Sequence, residues 1–219
     1  MTSAFEGRDI VSIRDLNRAD VEHIMEVTRL MEPLVRHGST MLQGRILANL
    51  FFEPSTRTRM SFEAAMHKLG GGCISIAEVR TSSVEKGESL ADTVRTVENY
   101  CDLIVLRHPL DGSARLAAEM VSVPVINAGS GAEEHPTQAL LDLYTIRREL
   151  GKIDSLHVAF VGDMRYGRTV HSLAYALALF QTTSIYFVSP ESLRIRREVI
   201  DEVSRKVNVV ETSDLNEVL

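Results

Sequence analysis

Residues 46–59 read ILANLFFEPSTRTR, an apolar run that turns directly into a polar, helix-forming segment. The apolar part, 46–52, is short and rich in large aliphatic and aromatic residues, which is typical of a buried strand. The polar part opens a helix predicted over 56–69, and the three glycines at 70–72 end it. A buried strand that leads at once into a helix is the repeating unit of a parallel sheet.

The same alternation of strand and helix continues along the chain. Further strands are predicted at 73–77, 103–106, 123–127, 156–161, 185–188 and 207–210. Further helices are predicted at 17–37 with Asn17 as the cap, and at 89–100, 113–120, 137–150, 169–180, 192–206 and 214–219. The residues between 128 and 136 are predicted to form a loop. This pattern predicts an α/β fold with two doubly wound parallel-sheet domains.

The 219 residues are enough for two ordinary domains. We predict a first domain over 1–136, a connecting helix over 137–150 and a second domain over 151–219. The second series of elements has only a few strands, which make a thin sheet. The second domain is therefore predicted to be incomplete at its C-terminus.

The composition excludes several classes of protein. A hydrophobic content of 44% supports a core, and the net charge of −6 argues against binding to nucleic acid or anionic membranes. The first residues do not resemble a signal peptide, and the apolar runs are too short to span a bilayer. Cys73 and Cys101 have no metal-ligand or disulfide spacing, so we predict buried free thiols and a cytoplasmic location.

The turn after the first strand has the composition of an anion site. Ligands of parallel sheets bind at the carboxyl ends of strands, and a helix N-terminus offers free N–H groups and a positive dipole end. Ser55, Thr56 and Thr58 add hydroxyl donors, and Arg57 and Arg59 add guanidinium groups. A serine cap with solvated arginines is the alternative, but capping needs only one hydroxyl. A phosphate site uses all three hydroxyls as donors, together with Arg57 as a bidentate donor.

Two later strand ends carry single polar residues of interest. Arg107 follows an apolar strand, where an arginine reaches either solvent or an anion. His135 precedes Pro136 at a predicted helix start, which disfavours its charged form. A neutral histidine that donates a hydrogen bond suits polarisation of a carbonyl, and a purely structural histidine is the alternative.

The loop at 162–169 reads GDMRYGRT and lies between a strand and a helix. It differs from a P-loop by having Arg168 where the lysine belongs, and it lacks dinucleotide-turn spacing. Because the planar guanidinium suits a carboxylate, we interpret Arg168 as the binder of a substrate carboxylate and keep nucleotide binding as the alternative. The polar stretch 80–92, taken by itself, is typical of a mobile surface loop.

Several of these segments together resemble the carbamoyltransferases. The stretch FEPSTRTR at 52–59, followed by SFE at 61–63, is similar to the carbamoyl-phosphate motif of the aspartate and ornithine families. KGESLADT at 86–93, HPTQALLD at 135–142 and GRTVHS at 167–172 resemble the aspartate family in particular. The resemblance runs in order from about residue 16 to the end of the chain.

The resemblance implies a role for each matching residue. Ser55, Thr56, Arg57 and Thr58 would hold the phosphate group of carbamoyl phosphate. Thr58, Arg107 and His135 would contact the carbamoyl oxygen, and Gln138 would hold the carbamoyl amide. Donors of this kind stabilise the charge that builds on the oxygen as the amine of aspartate attacks. No metal and no organic cofactor is implied, because the substrate is already activated.

The resemblance also implies a shared active site. Ser82 and Lys86 would reach into the site of a neighbouring subunit of a homotrimer, and Arg168 would bind a carboxylate of L-aspartate. The stretch 80–92 would then be catalytic, which its composition alone does not indicate. Regulatory chains are possible further partners in such families.

The family's C-terminal segments have no counterpart after residue 210. These normally include an Arg-x-Gln element for the aspartate side chain, so we expect the chain to bind carbamoyl phosphate poorly or adequately and to catalyse weakly at best. Three alternatives stay open at this point: a carbamoyltransferase for another amine such as ornithine, a non-catalytic chain, and a nucleotide-binding protein.

Overall fold

The computed structural model describes residues 5–76, 87–182 and 184–218, and its helices and strands alternate as predicted. The helices are α1 (Arg18–Met31), α2 (Leu34–His37), α3 (Thr56–Lys68), α4 (Leu90–Val97), α5 (Ser113–Met120), α6 (Pro136–Leu150), α7 (Arg168–Leu177) and α8 (Arg197–Val203). The strands are β1 (Ile46–Phe51), β2 (Gly72–Ile76), β3 (Leu103–His108), β4 (Val125–Ser130), β5 (His157–Val161), β6 (Ser184–Val188) and β7 (Asn208–Thr212). Both sheets are parallel, which confirms the predicted fold class.

The chain divides into two compact units. The first comprises the described residues of Met1–Val11 and Glu26–Gly131, and the second those of Ser12–Met25 and Ala132–Leu219. The limits of the functional domains, placed at residues 136 and 150 from the sequence, stay a prediction.

The first unit is built on a sheet with the strand order β2-β1-β3-β4. Helices cover both of its faces because successive side chains of each strand point to opposite sides. Ala48, Leu50, Ile104 and Leu106 pack with residues of α4 and α5 on one face. Leu47, Phe51, Val105 and Ala128 pack with Met66 of α3 on the other. Burial on both sides explains why β1 and β3 read as continuous apolar runs.

The N-terminal segment of the first unit protects the outer edge of β4. Ile10 pairs in parallel with Ile126, and the Asp9 carboxylate accepts the Val125 N–H at 2.8 Å. An extra strand-like segment of this kind satisfies backbone groups that an exposed edge would leave open.

The second unit is built on the sheet β5-β6-β7. Helix α7 buries more of its residues than the longer α6, among them His171, Ser172, Ala174, Ala176 and Leu177. The segment before α1 also belongs to this unit, and Arg18 binds the Asp154 carboxylate through two hydrogen bonds of 3.0 and 2.8 Å.

The first helix begins as predicted and ends earlier. The Asn17 side chain accepts the Asp20 N–H at 3.0 Å, and the Asp20 carboxylate accepts the Asn17 N–H at 3.1 Å, which is a reciprocal capping arrangement. The predicted single helix over 17–37 is wrong, because α1 ends at Met31 and α2 begins after Pro33. Proline has no N–H and disfavours helical geometry in the residue before it.

Other corrections are smaller. The helix predicted over 192–206 is reduced to α8, after a short 3-10 turn and an extended segment that buries Ile195. Residues 128–130 belong to β4 and not to the predicted loop. The described part of the helix predicted over 214–219, residues 214–218, forms only a 3-10 turn and no α-helix.

The two cysteines are free, as predicted, but only partly buried. Burial raises the pKa of both Cys73 and Cys101, so the thiol form is favoured. Within the described ranges, no helix has the length and apolar character needed to cross a membrane.

Candidate active site

The strand order of the first sheet makes the ends of β1 and β3 the candidate ligand site. The chain passes from β1 to β2 on one side and from β3 to β4 on the other. Ligands of open parallel sheets bind at the carboxyl ends of strands where the connections diverge in this way. The predicted phosphate turn follows β1, and Arg107 lies at the end of β3.

The turn between β1 and α3 leaves its polar groups available for a ligand. Ser55 is the N-cap residue of α3, but its side chain makes no capping hydrogen bond. The first turn of α3 contains no acidic residue, and Arg57 is exposed at its start. The first N–H groups of a helix have no partner within the helix and, with the dipole, favour a bound anion. The serine-cap alternative therefore loses its main support.

Arg107 is buried, with 8% of its surface exposed. Its Nη2 donates to the Glu53 carboxylate at 2.6 Å, and its Nη1 donates to the Ala128 carbonyl at 3.2 Å. The guanidinium group thus joins the loop after β1 to the end of β4. Solvent exposure, one of the two options left open by the sequence, is excluded for this arginine.

A β-bulge shapes the strand ends around Arg107. Leu106 pairs with Asn127 while His108 pairs with Ser130, so β4 has one extra residue opposite Arg107. The Asn127 side-chain oxygen accepts the Gly129 N–H at 2.8 Å and the Ser130 hydroxyl at 3.0 Å, which stabilises the bulge. Bulges of this kind are frequent beside active sites, where they redirect a side chain.

Two residues of this edge were not identified as site residues from the sequence. Glu53 belongs to the motif at 52–59 and accepts a hydrogen bond from Arg107. The two residues are 54 positions apart, so no local sequence pattern pairs them. His108 lies against the Phe52 ring with 5.3 Å between ring centroids, and its Nδ1 accepts the Leu110 N–H at 3.1 Å. Burial lowers the pKa of His108, so its neutral form is favoured.

In the second unit, His135 precedes the first residue of α6 and is 6% exposed. Its backbone N–H donates to the Ser172 hydroxyl at 2.8 Å, and its Nδ1 lies 3.3 Å from the Thr137 hydroxyl. If the hydroxyl donates to Nδ1, the proton of a neutral ring is on Nε2. That arrangement gives a neutral hydrogen-bond donor, as the carbonyl-polarising interpretation requires.

Glu134 anchors the loop that leads to His135. Its carboxylate accepts the Ser12 hydroxyl at 2.6 Å and the Ile13 N–H at 2.8 Å, and the residue is 4% exposed. Burial raises the pKa of Glu134 above its ordinary 4.5, although both hydrogen bonds lower it. This anchor joins residues 122 positions apart and has no signal in the local sequence.

Gln138 lies in the first turn of α6. Its Nε2 donates to the Asp142 carboxylate at 2.9 Å, one turn along the helix. Burial raises the pKa of Asp142, while this hydrogen bond lowers it. The contact fixes which way the Gln138 amide points, with its oxygen turned from Asp142.

Arg168 begins α7, directly after the loop that follows β5. The loop is internally hydrogen-bonded: the N–H groups of Arg165 and Tyr166 each donate to the Asp163 carboxylate at 3.0 Å, and the Met164 N–H donates to the Leu193 carbonyl at 3.1 Å. A P-loop needs such N–H groups for phosphate. Since Asp163 uses them here, the nucleotide alternative loses its physical basis.

A cavity of about 310 Å³ lies beside the same loop of the second unit. Its lining carries both arginines and glutamates, and consists of Arg165, Glu191, Ser192, Arg194, Ile195, Arg196 and Glu198. Of the loop's two arginines, Arg165 is the one in this lining.

Two candidate residues, Ser82 and Lys86, lie outside the described residues. In the part of the chain that the structure describes, no group of His, Cys, Asp and Glu side chains could hold a metal ion.

Comparison with known proteins decides the family. The carbamoyl-phosphate binding domain of aspartate/ornithine carbamoyltransferases matches residues 8–148. An aspartate carbamoyltransferase catalytic subunit from Thermococcus gammatolerans is 55% identical over 214 residues, covering 96% of this chain and 69% of the relative. The chain belongs to the aspartate carbamoyltransferase family.

Solved aspartate carbamoyltransferase structures have the same fold. The catalytic subunit from M. jannaschii is 49% identical, with a TM-score of 0.89 over 97% of this chain and 70% of that one. The Trypanosoma cruzi enzyme in complex with carbamoyl phosphate and aspartate is 40% identical, with a TM-score of 0.91 over 95% of this chain and 67% of that one. The chain is thus shorter than the aspartate carbamoyltransferases that it matches.

The buried Glu134 gives a prediction about pH. A carboxyl with a raised pKa keeps its proton in the folded chain after the unfolded chain has released it, so its stabilising contribution is present below pH 4.5 and is lost as pH rises through the folded pKa. Glu134→Gln can keep both contacts and cannot titrate. We expect the unfolding free energy of the wild type, minus that of Glu134→Gln, to fall as the pH rises above the ordinary carboxyl pKa of 4.5.

Urea unfolding of both chains across this pH range measures the difference, and subtraction cancels the titration of all other groups. A difference that stays constant, or that rises with pH, would contradict the raised pKa of Glu134.

Proposed function

We propose that this chain transfers the carbamoyl group of carbamoyl phosphate to the amino group of L-aspartate. The products are N-carbamoyl-L-aspartate and phosphate, and the reaction is an early step of pyrimidine (UMP) synthesis. Membership of the aspartate carbamoyltransferase family supports this function, and a T. cruzi member binds both substrates. The observation that carries it is the uncapped, cationic N-terminus of α3 at the point where the connections of the first sheet diverge.

The phosphate group is assigned to the start of α3. Ser55, Thr56 and Thr58 supply hydroxyl donors, Arg57 supplies a fork of N–H donors, and the helix supplies its N–H groups. Hydrogen bonds between a guanidinium group and phosphate are charge-assisted and stronger than neutral ones. The same groups stabilise phosphate as it leaves.

The carbamoyl oxygen is assigned to Thr58, Arg107 and His135. Negative charge grows on this oxygen when the neutral amine of aspartate attacks the carbamoyl carbon. Donors that are already fixed in place stabilise that charge without reorganisation. Supporting contacts are the hydrogen bond from Arg107 Nη2 to the Glu53 carboxylate at 2.6 Å and the hydrogen bond from the His135 N–H to the Ser172 hydroxyl at 2.8 Å.

The remaining substrate groups are assigned to α6 and α7. Gln138 donates to Asp142, which leaves its amide oxygen as an acceptor for the carbamoyl NH₂ group. Arg168, at the start of α7, has the planar donor geometry that suits a carboxylate of L-aspartate.

We further propose that the chain acts as a homotrimer in the cytoplasm, with Ser82 and Lys86 completing the active site of a neighbouring subunit. The segment KGESLADT at 86–93 supports this, because it resembles the lysine loop of the aspartate family. We include regulatory chains among its proposed partners.

The phosphate assignment predicts a difference between two neighbouring arginines. Arg57→Ala should weaken binding of phosphonoacetamide, a stable mimic of carbamoyl phosphate, by roughly tenfold to a hundredfold, because it removes charge-assisted hydrogen bonds. Isothermal titration calorimetry measures the affinity. Arg59→Ala is the matched control, since Arg59 binds the Glu63 carboxylate at 3.0 Å and is expected to leave the affinity within about threefold.

Equal losses in the two variants would show that general positive charge, and not Arg57, holds the phosphonate. Sedimentation of the same samples measures whether the chain is trimeric when it binds.

The role of His135 predicts a loss of turnover without a matching loss of binding. His135→Ala should lower kcat for carbamoyl transfer to aspartate by roughly 100- to 1,000-fold, because it removes a donor used mainly in the transition state. The affinity for phosphonoacetamide should change much less. Steady-state kinetics and calorimetry provide the two numbers, and His67→Ala, on the exposed end of α3, serves as the control.

Equal losses of kcat and affinity would refute the assigned role. Ornithine in place of aspartate tests the acceptor in the same assay. Transfer to ornithine in preference to aspartate would assign the chain to the other substrate.

A further inference from the structure

The His171 side chain lies in the interior of the second unit and is 1% exposed. It is on α7, one turn after Arg168. Its Nε2 is 2.7 Å from the Met164 carbonyl oxygen, and its Nδ1 is 3.2 Å from the Ala132 carbonyl oxygen. The ring therefore lies between two backbone segments that are far apart in sequence.

Both contacts depend on ring protons. A carbonyl oxygen only accepts hydrogen bonds, so each ring nitrogen stabilises its contact when it carries a proton. The shorter contact, to Met164, has the geometry of a strong hydrogen bond. A histidine that only filled space would not need acceptors at both nitrogens.

The two segments are the ones that lead to candidate substrate-binding residues. Ala132 is three residues before His135, in the loop between β4 and α6. Met164 is four residues before Arg168, in the loop between β5 and α7. The residue after His171 supports the first loop as well, since the Ser172 hydroxyl accepts the His135 N–H.

We propose that His171 is a positioning residue for carbamoyl transfer. With a proton on each ring nitrogen, Nδ1 donates to the Ala132 carbonyl and Nε2 to the Met164 carbonyl, which holds the His135 loop and the Arg168 loop in fixed positions. The inference rests on the proposed function for its kinetic consequences, while the two contacts themselves can be measured without turnover. Small displacements of such groups are costly, because a shift of about 1 Å in a substrate-positioning residue can reduce the rate by about 100-fold.

Two substitutions separate the two contacts. The amide nitrogen of His171→Asn can take the place of Nδ1, so this variant keeps the contact to Ala132 and loses the one to Met164. The amide nitrogen of His171→Gln reaches the place of Nε2, so this variant keeps the contact to Met164 and loses the one to Ala132. Each variant is thus the control for the other.

The two variants are expected to affect different kinetic parameters, one KM for aspartate and the other kcat. His171→Asn should raise KM for aspartate by roughly tenfold or more with kcat nearly unchanged, because the Arg168 loop is released. His171→Gln should lower kcat by roughly tenfold or more with KM for aspartate nearly unchanged, because the His135 loop is released. Equal losses in both parameters for both variants would mean a purely structural histidine and would overturn the proposal.

Nuclear magnetic resonance tests the contacts directly. In the wild-type chain labelled with ¹⁵N-histidine, both Nδ1 and Nε2 of His171 should carry a hydrogen-bonded proton. A bare nitrogen at either position would overturn the proposal even if neither variant folds. In the variants, backbone amide shifts should change around residues 162–168 for His171→Asn and around 131–135 for His171→Gln.

Amide shifts that change equally in both loops for both variants would also overturn the proposal. If the wild type shows no carbamoyl transfer, the proposed function fails, and the ring proton and the amide shifts still decide whether His171 holds the two loops.

Discussion

The candidate site depends on the start of α3 at the carboxyl end of β1. A parallel strand buried on both faces must deliver the chain into a helix, and that helix begins with N–H groups that it cannot satisfy itself. A side-chain cap would normally satisfy one of them, but Ser55 makes no such bond. An anion is the natural partner for this end, and the three hydroxyls of 55–58 and the guanidinium group of Arg57 are suited to a phosphate.

Arg107 places a second cation at the same edge. A buried guanidinium group is costly unless it is paired, and the Glu53 carboxylate and the Ala128 carbonyl provide partners. The bulge in β4 and its Asn127 contacts set the backbone around this pair. In the second unit, Glu134, Ser172 and His171 similarly fix the backbone near His135. In both units, candidate substrate-binding residues are held by contacts that the local sequence does not predict.

The sequence predicts elements better than contacts. The turn after β1 was identified because a strand, hydroxyls and arginines are adjacent there, and the family resemblance added Ser82 and Lys86, which composition alone assigned to a surface loop. The strand order β2-β1-β3-β4 could not be predicted from the sequence, because hydrophobic periodicity shows which residues are buried and not which strands are neighbours. Glu53 and Glu134 were missed because their partners are 54 and about 120 residues away. Pro33 signals the break between α1 and α2, but the apolar spacing continues beyond this proline and so favours one long helix.

The most direct test of the central claim is a crystal structure of the chain with phosphonoacetamide bound. The account predicts phosphonate oxygens about 2.7–3.2 Å from the first N–H groups of α3 and from the side chains of Ser55, Thr56, Arg57 and Thr58. A phosphonate bound instead at the loop 162–169, with the start of α3 empty, would contradict it.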